Sequence, residues 1–396
     1  MNRTNIKKYL WMATFLFCLF VGAFSLAEAP DVTAEAVFRG KPEVSKQSLT
    51  DANHFTAWSS KKGFLEMTLP EEQRCFGVML CFRDHTTACE VRVPDENGGD
   101  IVFRAFENGE TPHQYVVLPG VTRVTVVAND PSENMQLSEV RLVGEGETPD
   151  WVQLWEPPCE KADLMIIAAH PDDELIWFGG AIPYYATERK KSIQVVTMAC
   201  MTGYRKSELL DALWTAGVRN LPEIGPFEDR NSENPDELVH WWGGSQKLRG
   251  WIVDAICKYR PEVVLTHAAD GEYGHMAHRL TSRYTGQAIE AAAKLSDDES
   301  KAPWQVRKFY THHHGNGAPT TVIRWDMPLT QFDGESAFSV AERALEKHRS
   351  QHPLSQPMEQ GGKWDCTAFD LLMSTVGKDE AANDFFEHIE ADCESK

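Results

Sequence analysis

The chain has 396 residues, 42% of them hydrophobic, which is enough apolar material for more than one packed core. Its formal charge of −20 argues against a nucleic-acid partner, because binding of that kind neutralises phosphates with a basic surface.

At the N-terminus, Arg3, Lys7 and Lys8 precede the apolar run YLWMATFLFCLFVGAF, and Ser25 and Ala27 follow at the spacing of a cleavage site. This predicts a signal peptide over residues 1–27 and an exported protein, periplasmic or extracellular. The run is shorter than the roughly 20 residues of a spanning helix, so no stable membrane span is expected after cleavage. Eight cysteines remain, an even number compatible with disulfides, and no CxxC pair points to a zinc ribbon.

Between residues 32 and 147 the pattern is short β-type runs broken by turn residues: FLEMTL, CFGVMLCF, CEVRV, DIVFRAF, YVVL, TRVTVVA and SEVRLVG. Runs spaced by about ten residues predict an all-β sandwich domain. SLTDANHFTAWSS, FLEMTLPEEQRCFGVML and LSEVRLVGEG resemble the galactose-binding-like, or discoidin-like, modules of secreted carbohydrate enzymes. Trp58 is expected to lock the first loop onto the sandwich rather than to stack on a sugar. Residues 148–160, rich in Gly, Pro and acidic groups, have linker composition.

From 161 to 396 apolar strands alternate with amphipathic helices: DLMIIAA and a helix through Ile182 to Glu188, SIQVVTMA and SELLDALWTAGV, WIVDAICKYR leading into PEVVLTH. The alternation predicts an α/β domain with a Rossmann-like parallel sheet. In such sheets ligands bind beyond the carboxyl ends of the strands, which directs attention to the residues following each one.

Two strand ends are rich in metal-ligand side chains. DLMIIAA runs into His170-Pro171-Asp172-Asp173-Glu174, and PEVVLTH is followed by Gly271-Glu272-Tyr273-Gly274-His275-Met276-Ala277-His278. His170 and Asp173 are three apart in a turn entering a helix, close enough to share a cation. His275 and His278, also three apart, open another helix on one face. Two imidazoles and one carboxylate leave a position open for water, as in catalytic zinc sites, although ferrous oxygenases use the same set. Asp172 then stands beside the cation as a general base.

AHPDDE, GYRKSELLDALWTAGV and GEYGHMAH resemble the LmbE-like, or PIG-L, family of zinc-dependent de-N-acetylases. The resemblance implies His170, Asp173 and His278 as ligands of one zinc, with Fe(II) or another divalent metal as the alternative. It implies Asp172 as the base, and His275 as stabiliser of the oxyanion and proton donor. Arg205 falls where the family contacts sugar hydroxyls, Asp229 near an acidic sugar contact, and Tyr273 where some members hold the tetrahedral intermediate. The implied reaction removes an N-acyl group, most simply the N-acetyl of an N-acetylglucosamine-type glycoconjugate. A non-sugar or thiol-conjugate amide, and an inactive glycan-binding protein, are the competing readings.

His312, His313 and His314 are consecutive on an apparent strand, so they cannot all face one ion. Glu174 is expected to orient a ligand or to charge the helix start. Trp241 and Trp242 are expected to pack in a core or lid.

Overall fold

The computed structural model describes residues 27–109, 111–130, 132–200, 202–296 and 301–389. The expected signal peptide lies, apart from Ala27, outside them. Among the described residues no helix is long and apolar enough to cross a membrane.

The first part of the chain folds into nine antiparallel strands: β1 (Val37–Lys41), β2 (Trp58–Ser60), β3 (Phe64–Thr68), β4 (Cys75–Phe82), β5 (Cys89–Pro94), β6 (Asp100–Ala105), β7 (His113–Val121), β8 (Arg123–Ala128) and β9 (Met135–Val143). They form a sheet of order β1-β3-β8-β5-β6 and another of order β2-β9-β4-β7. The two share one core, to which β3 gives Leu65 and Met67, β5 gives Val91 and Val93, β4 gives Val78 and Leu80, and β9 gives Val140 and Leu142. Burial alternates along β5, as period-two side chains require. β4 departs from that rule, with its last six residues all buried: on its other face Gly77 lies under Tyr115, and Met79 and Cys81 line a cavity with Asp211 and Trp214 of the second half. Trp58 is 4% exposed and donates its Nε1–H to the Pro42 carbonyl at 3.0 Å, so it packs as expected.

The second part is built on a seven-stranded sheet. Its elements are β10 (Leu164–Ala168), α1 (Asp173–Ile176), β11 (Ile193–Ala199), α2 (Gly203–Thr215), β12 (Glu223–Phe227), α3 (Pro235–Trp241), α4 (Ser245–Tyr259), β13 (Val263–Thr266), α5 (Met276–Ala292), β14 (Lys308–His312), β15 (Thr321–Val322), α6 (Ala337–Leu345) and β16 (Ala368–Ser374). β10 is buried on both faces: Leu164 and Ile166 join a core with α2 and α6, while Met165 and Ile167 join one with α4 and α5. Such continuous apolar runs are what a sheet covered by helices on both sides demands.

The strand order is β12-β11-β10-β13-β14-β16-β15. β10 to β14 are mutually parallel, and the order reverses between β10 and β13, opening a crevice at their carboxyl ends. The expectation of a parallel sheet needs one correction: β16 pairs antiparallel with β14 and β15 with β16, so the sheet is mixed. β14 would otherwise present an unpaired edge, and the returning chain covers it. The expected helix through Ile182 to Glu188 forms, with an α-helical start at Ala181–Pro183 that continues as a π-helix over Tyr184–Glu188, Pro183 having no N–H for the regular helical ladder.

The stretch 148–160 is packed rather than loose. Val152 and Gln153 are buried, Trp151 lies under the Arg141 guanidinium at 3.4 Å, and Trp214 of α2 donates to the Asp150 carbonyl. The two halves also meet directly. Ser207 of α2 donates to the Phe82 carbonyl at 3.0 Å, and His54 Nε2 faces Asp211 Oδ2 at 2.8 Å. Among the described residues Cys75, Cys81, Cys89, Cys159, Cys200 and Cys366 are free thiols, so the disulfides that the cysteine count allows are not formed there.

Candidate active site

The buried β10 ends at Ala168, and the chain turns through His170 and Asp172 into α1. Asp172 has φ of +122°, a conformation that costs a non-glycine residue strain of about 1–3 kcal/mol and recurs at functional sites. Glu174 holds the turn: its Oε2 accepts the Asp172 N–H at 2.8 Å, and its Oε1 faces His348 Nε2 at 2.8 Å. Asp173 is fixed by three donors. Its Oδ2 accepts the His170 N–H at 2.8 Å and lies 3.0 Å from His170 Nδ1, while its Oδ1 accepts Trp177 Nε1–H at 2.8 Å.

The parallel neighbour β13 ends at Thr266, and the chain crosses a tight turn before α5, for which His275 is the N-cap. Gly271, at φ +74°, carries no Cβ where one would come within 2.5 Å of the His275 carbonyl, so the turn closes directly onto the helix. Glu272 follows in the left-handed region and turns its carboxylate inward. Its Oε2 faces His278 Nδ1 at 2.8 Å, while its Oε1 accepts the Ala268 N–H at 2.9 Å and lies 3.3 Å from both His267 Nδ1 and His312 Nδ1. His278 Nε2 is thereby aimed at Asp173 Oδ2, 3.3 Å away.

Asp173 Oδ2 thus lies beside both His170 Nδ1 and His278 Nε2, while the groups whose ligand atoms all lie within 4.8 Å of one another are His170 with His275 and His278, and Asp173 with His267 and His278. Donor separations of 3.0 and 3.3 Å are close to the edge of about 3.4 Å between two ligands of a tetrahedral cation bound at roughly 2.1 Å. The electrostatics also favour a cation. Burial alone would lower His278, but Asp173 and Glu272 flank it and raise it to about 10. His267 is not equivalent, although it forms a potential ligand group with Asp173 and His278 and its ring stacks on His278. The Ala169 N–H donates to its Nε2 at 2.9 Å, which commits that lone pair and leaves Nδ1–H for Glu272.

Asp172 lines the same cavity, of about 340 Å³. Burial, then the neighbouring Asp173, raises its carboxyl to about 7, against the pull of Arg205. His275 lies beside His170 and His278, with ring centroids at 4.9 and 4.5 Å. Burial and these two neighbours lower it to about 3, which keeps the imidazole neutral. Its Nδ1 is buried with no hydrogen-bond partner among the described residues, so it has capacity for a ligand in the cavity.

Arg205 and Asp229 are both in the wall but are paired with each other. Arg205 Nη1 donates to Asp229 Oδ2 at 2.9 Å and Nη2 to the Pro171 carbonyl, with Asp172 Oδ2 at 3.5 Å. Asp229 Oδ1 also lies 3.6 Å from His170 Nε2. Tyr273 is 45% exposed at the mouth, its ring 5.6 Å from His275 and 6.1 Å from Trp177. The three consecutive histidines go to three different carboxylates: His312 beside Glu272, His313 at 2.8 Å from Asp370, His314 at 2.9 Å from Asp270. Trp241 is partly exposed, whereas Trp242 is buried and donates to the Glu228 carbonyl at 2.8 Å.

Glu272, His267 and Trp177 were not among the expected site residues, nor were Gln351, Leu354, Ser355 and Gln356, which also line the cavity. Glu272 could have been suspected as an acid inside a metal-binding turn, and His267 as a histidine at a strand end. Gln351, Leu354, Ser355 and Gln356 have no local signal.

Residues 165–289 match the family model described as PIG-L, GlcNAc-PI de-N-acetylase. That segment is a PIG-L family domain. The chain is similar to 1D-myo-inositol 2-acetamido-2-deoxy-alpha-D-glucopyranoside deacetylases. That of Rhodococcus erythropolis is 31% identical over 37% of this chain and 59% of its own length, and that of Mycolicibacterium gilvum 32% identical over 38% and 59%. The chain therefore spans about three fifths of the curated relatives it matches. Among solved structures it is similar to the N,N'-diacetylchitobiose deacetylase of Pyrococcus horikoshii, with 17% identity and a TM-score of 0.36 over 50% of this chain and 73% of that one. All PIG-L residues proposed as cation ligands, His170, Asp173 and His278, lie inside the matched segment.

Proposed function

We propose that this protein is an exported, metal-dependent deacetylase that hydrolyses the N-acetyl group of an N-acetylglucosamine-type sugar. The observation that supports this reading is the contact of Asp173 Oδ2 with His170 Nδ1 and His278 Nε2, beside the strained Asp172 and within the segment that matches the PIG-L family model. His170, Asp173 and His278 would hold a divalent cation, zinc being the best match to two imidazoles and a carboxylate. Such a cation, when bound, supplies Lewis acidity to the acyl oxygen and lowers the pKa of water.

The chain's own residues supply the rest. The Asp172 carboxylate, adjacent to the ligands but itself outside the set, takes a proton from the attacking water at Oδ and returns it to the leaving amine. His275, neutral and with an unshared ring nitrogen, donates a hydrogen bond to the oxyanion as the acyl carbon becomes tetrahedral. Tyr273 closes the cavity mouth over the acyl group. Arg205 fixes Asp172 and Asp229 in place through its fork, and Asp229 faces sugar hydroxyls with its remaining capacity.

We read the second half as a Rossmann-like hydrolase domain and the first as a galactose-binding-like sandwich, joined at residues 148–160. The test is acetate release from N-acetylglucosamine saccharides by protein loaded with one zinc per chain. Asp172→Asn should keep the zinc and lose turnover by about 10²–10⁴-fold, the range of general acid–base catalysis. Undiminished turnover in that variant would sink the assignment.

A further inference from the structure

The cavity has two walls of different origin. One is the cation-ligand set at the ends of β10 and β13. The other is the segment Gln351–Gln356, which comes from beyond α6 and lines the same cavity. Three anchors keep it there. His348 meets Glu174, the residue that holds the Asp172 turn, at 2.8 Å with both side chains fully buried. Ser350 donates its N–H and its hydroxyl to the two oxygens of Glu208 on α2, at 2.8 and 2.6 Å. Arg349 donates to the Asp51 carbonyl of the β-rich half at 2.9 Å. The segment is therefore tied to the helix that carries Arg205, to the turn that carries the base, and to the other half of the molecule.

Its chemistry is uncharged. Gln351, Ser355 and Gln356 offer amide and hydroxyl groups, and Asn231 adds another amide from the β12 side. Arg205, the guanidinium in the lining, has its fork on Asp229 and the Pro171 carbonyl, with Asp172 beside it. Apart from Arg205 and the histidines around Asp173, the charged groups in the lining are carboxylates, in a chain whose formal charge is −20. Amides and hydroxyls pair well with sugar hydroxyls. A phosphate held against Gln351, Ser355 and Gln356 would lose its hydration with amides and a hydroxyl, and no basic side chain, as its partners in that wall.

We propose that Gln351–Gln356 is the specificity wall of the cavity, and that it selects an uncharged, hydroxyl-rich acylamino sugar over one that carries a phosphate. This rests on the deacetylase reading given above. The wall reads the part of the sugar remote from the acyl group, with Gln351 and Gln356 as hydrogen-bonding partners and Ser355 between them.

The experiment uses the full zinc-loaded protein with an N-acetylglucosamine disaccharide and its 6-phosphate. The uncharged sugar is expected to have at least about tenfold higher kcat/KM, and Gln351→Ala/Gln356→Ala to raise its KM about fivefold or more with kcat within about twofold, as loss of two ordinary hydrogen bonds implies. Ser355→Lys is expected to bring the phosphorylated sugar closer to the uncharged one. Equal or better turnover of the phosphate by the native protein, or an unchanged KM in the double variant, would overturn the proposal. Calorimetric binding of both sugars to zinc-loaded Asp172→Asn protein separates the two levels. Preferential binding of the uncharged sugar without acetate release by the native protein refutes the deacetylase reading and leaves the wall standing. Equal binding of both sugars, or binding of neither, refutes the wall.

Discussion

Glu272 Oε2 lies 2.8 Å from His278 Nδ1, and the same carboxylate receives the Ala268 N–H and stands beside His267 and His312. One fully buried acid therefore orients the histidine that points at Asp173. Removing its charge loosens that histidine without touching a ligand. Glu272→Gln is expected to weaken zinc binding by about 10–100-fold, the usual effect of losing a partner behind a ligand. Competition against a chelator of known affinity measures this, and an unchanged affinity would show that the backbone alone orients His278.

Trp177 does for Asp173 what Glu272 does for His278. Its Nε1–H binds Oδ1 at 2.8 Å and leaves Oδ2 for the His170 and His278 side. Trp177→Phe keeps an aromatic ring in the core and deletes the donor. A hydrogen bond to a charged group contributes about 1.5–3 kcal/mol, so zinc affinity is expected to fall roughly tenfold or more. The same competition assay reads it, with far-UV dichroism confirming that the fold is kept.

His54 and Asp211 join the two halves through a pair in which the imidazole is 3% exposed. Burial works against its charge, but Asp211, with Glu139 and Glu208 also acting on it, raises His54 above its ordinary 6.5. Because the folded value is the higher one, this contribution is fully present below pH 6.5 and is lost as pH rises through the folded value. His54→Gln is expected to cost about 3 kcal/mol at pH 6, as breaking a buried pair does, and clearly less at pH 9. Denaturant titrations of both proteins at the two pH values test the trend, and a penalty that grows with pH contradicts it.

Gly203 opens α2 against the β-rich half so closely that a Cβ would lie 2.3 Å from Asp84 Cα and 2.4 Å from its carbonyl oxygen. Neither atom is at the end of a flexible side chain. Gly203→Ala is expected to destabilise the protein by about 1–3 kcal/mol, through overpacking, and to lower turnover because α2 carries Arg205. Thermal unfolding and acetate release should fall together; loss of neither would mean that the halves separate freely.

The proposed ligands could be named from the sequence because each pair is local. His170 and Asp173 are three residues apart, as are His275 and His278, and both pairs follow apolar strands whose burial on two faces predicts a helix-covered sheet. The supports were harder to read, since Glu272, His267 and Trp177 are single residues whose partners come from other strands. β12 was missed because Gly225 and Pro226 in EIGPF imitate a turn. The mixed edge of the sheet was hidden by the long excursion between His312 and Ala368, whose helical spacing of apolar residues over Ala337–Leu345 gives no sign of an antiparallel return. Gln351–Gln356 is about 180 residues from His170, and tertiary contacts such as those of His348 and Ser350 bring the two together.

The hydrogen bond from Arg349 to the Asp51 carbonyl makes the β-rich half a poor candidate for cassette exchange. Replacing it with another module of similar outline would release one end of the segment Gln351–Gln356 while leaving the cation cage intact. A chimaera of that kind should hold metal normally and lose discrimination among sugars, so the two halves are expected to have diversified as a unit, with changes near Asp51 accompanied by changes near Arg349.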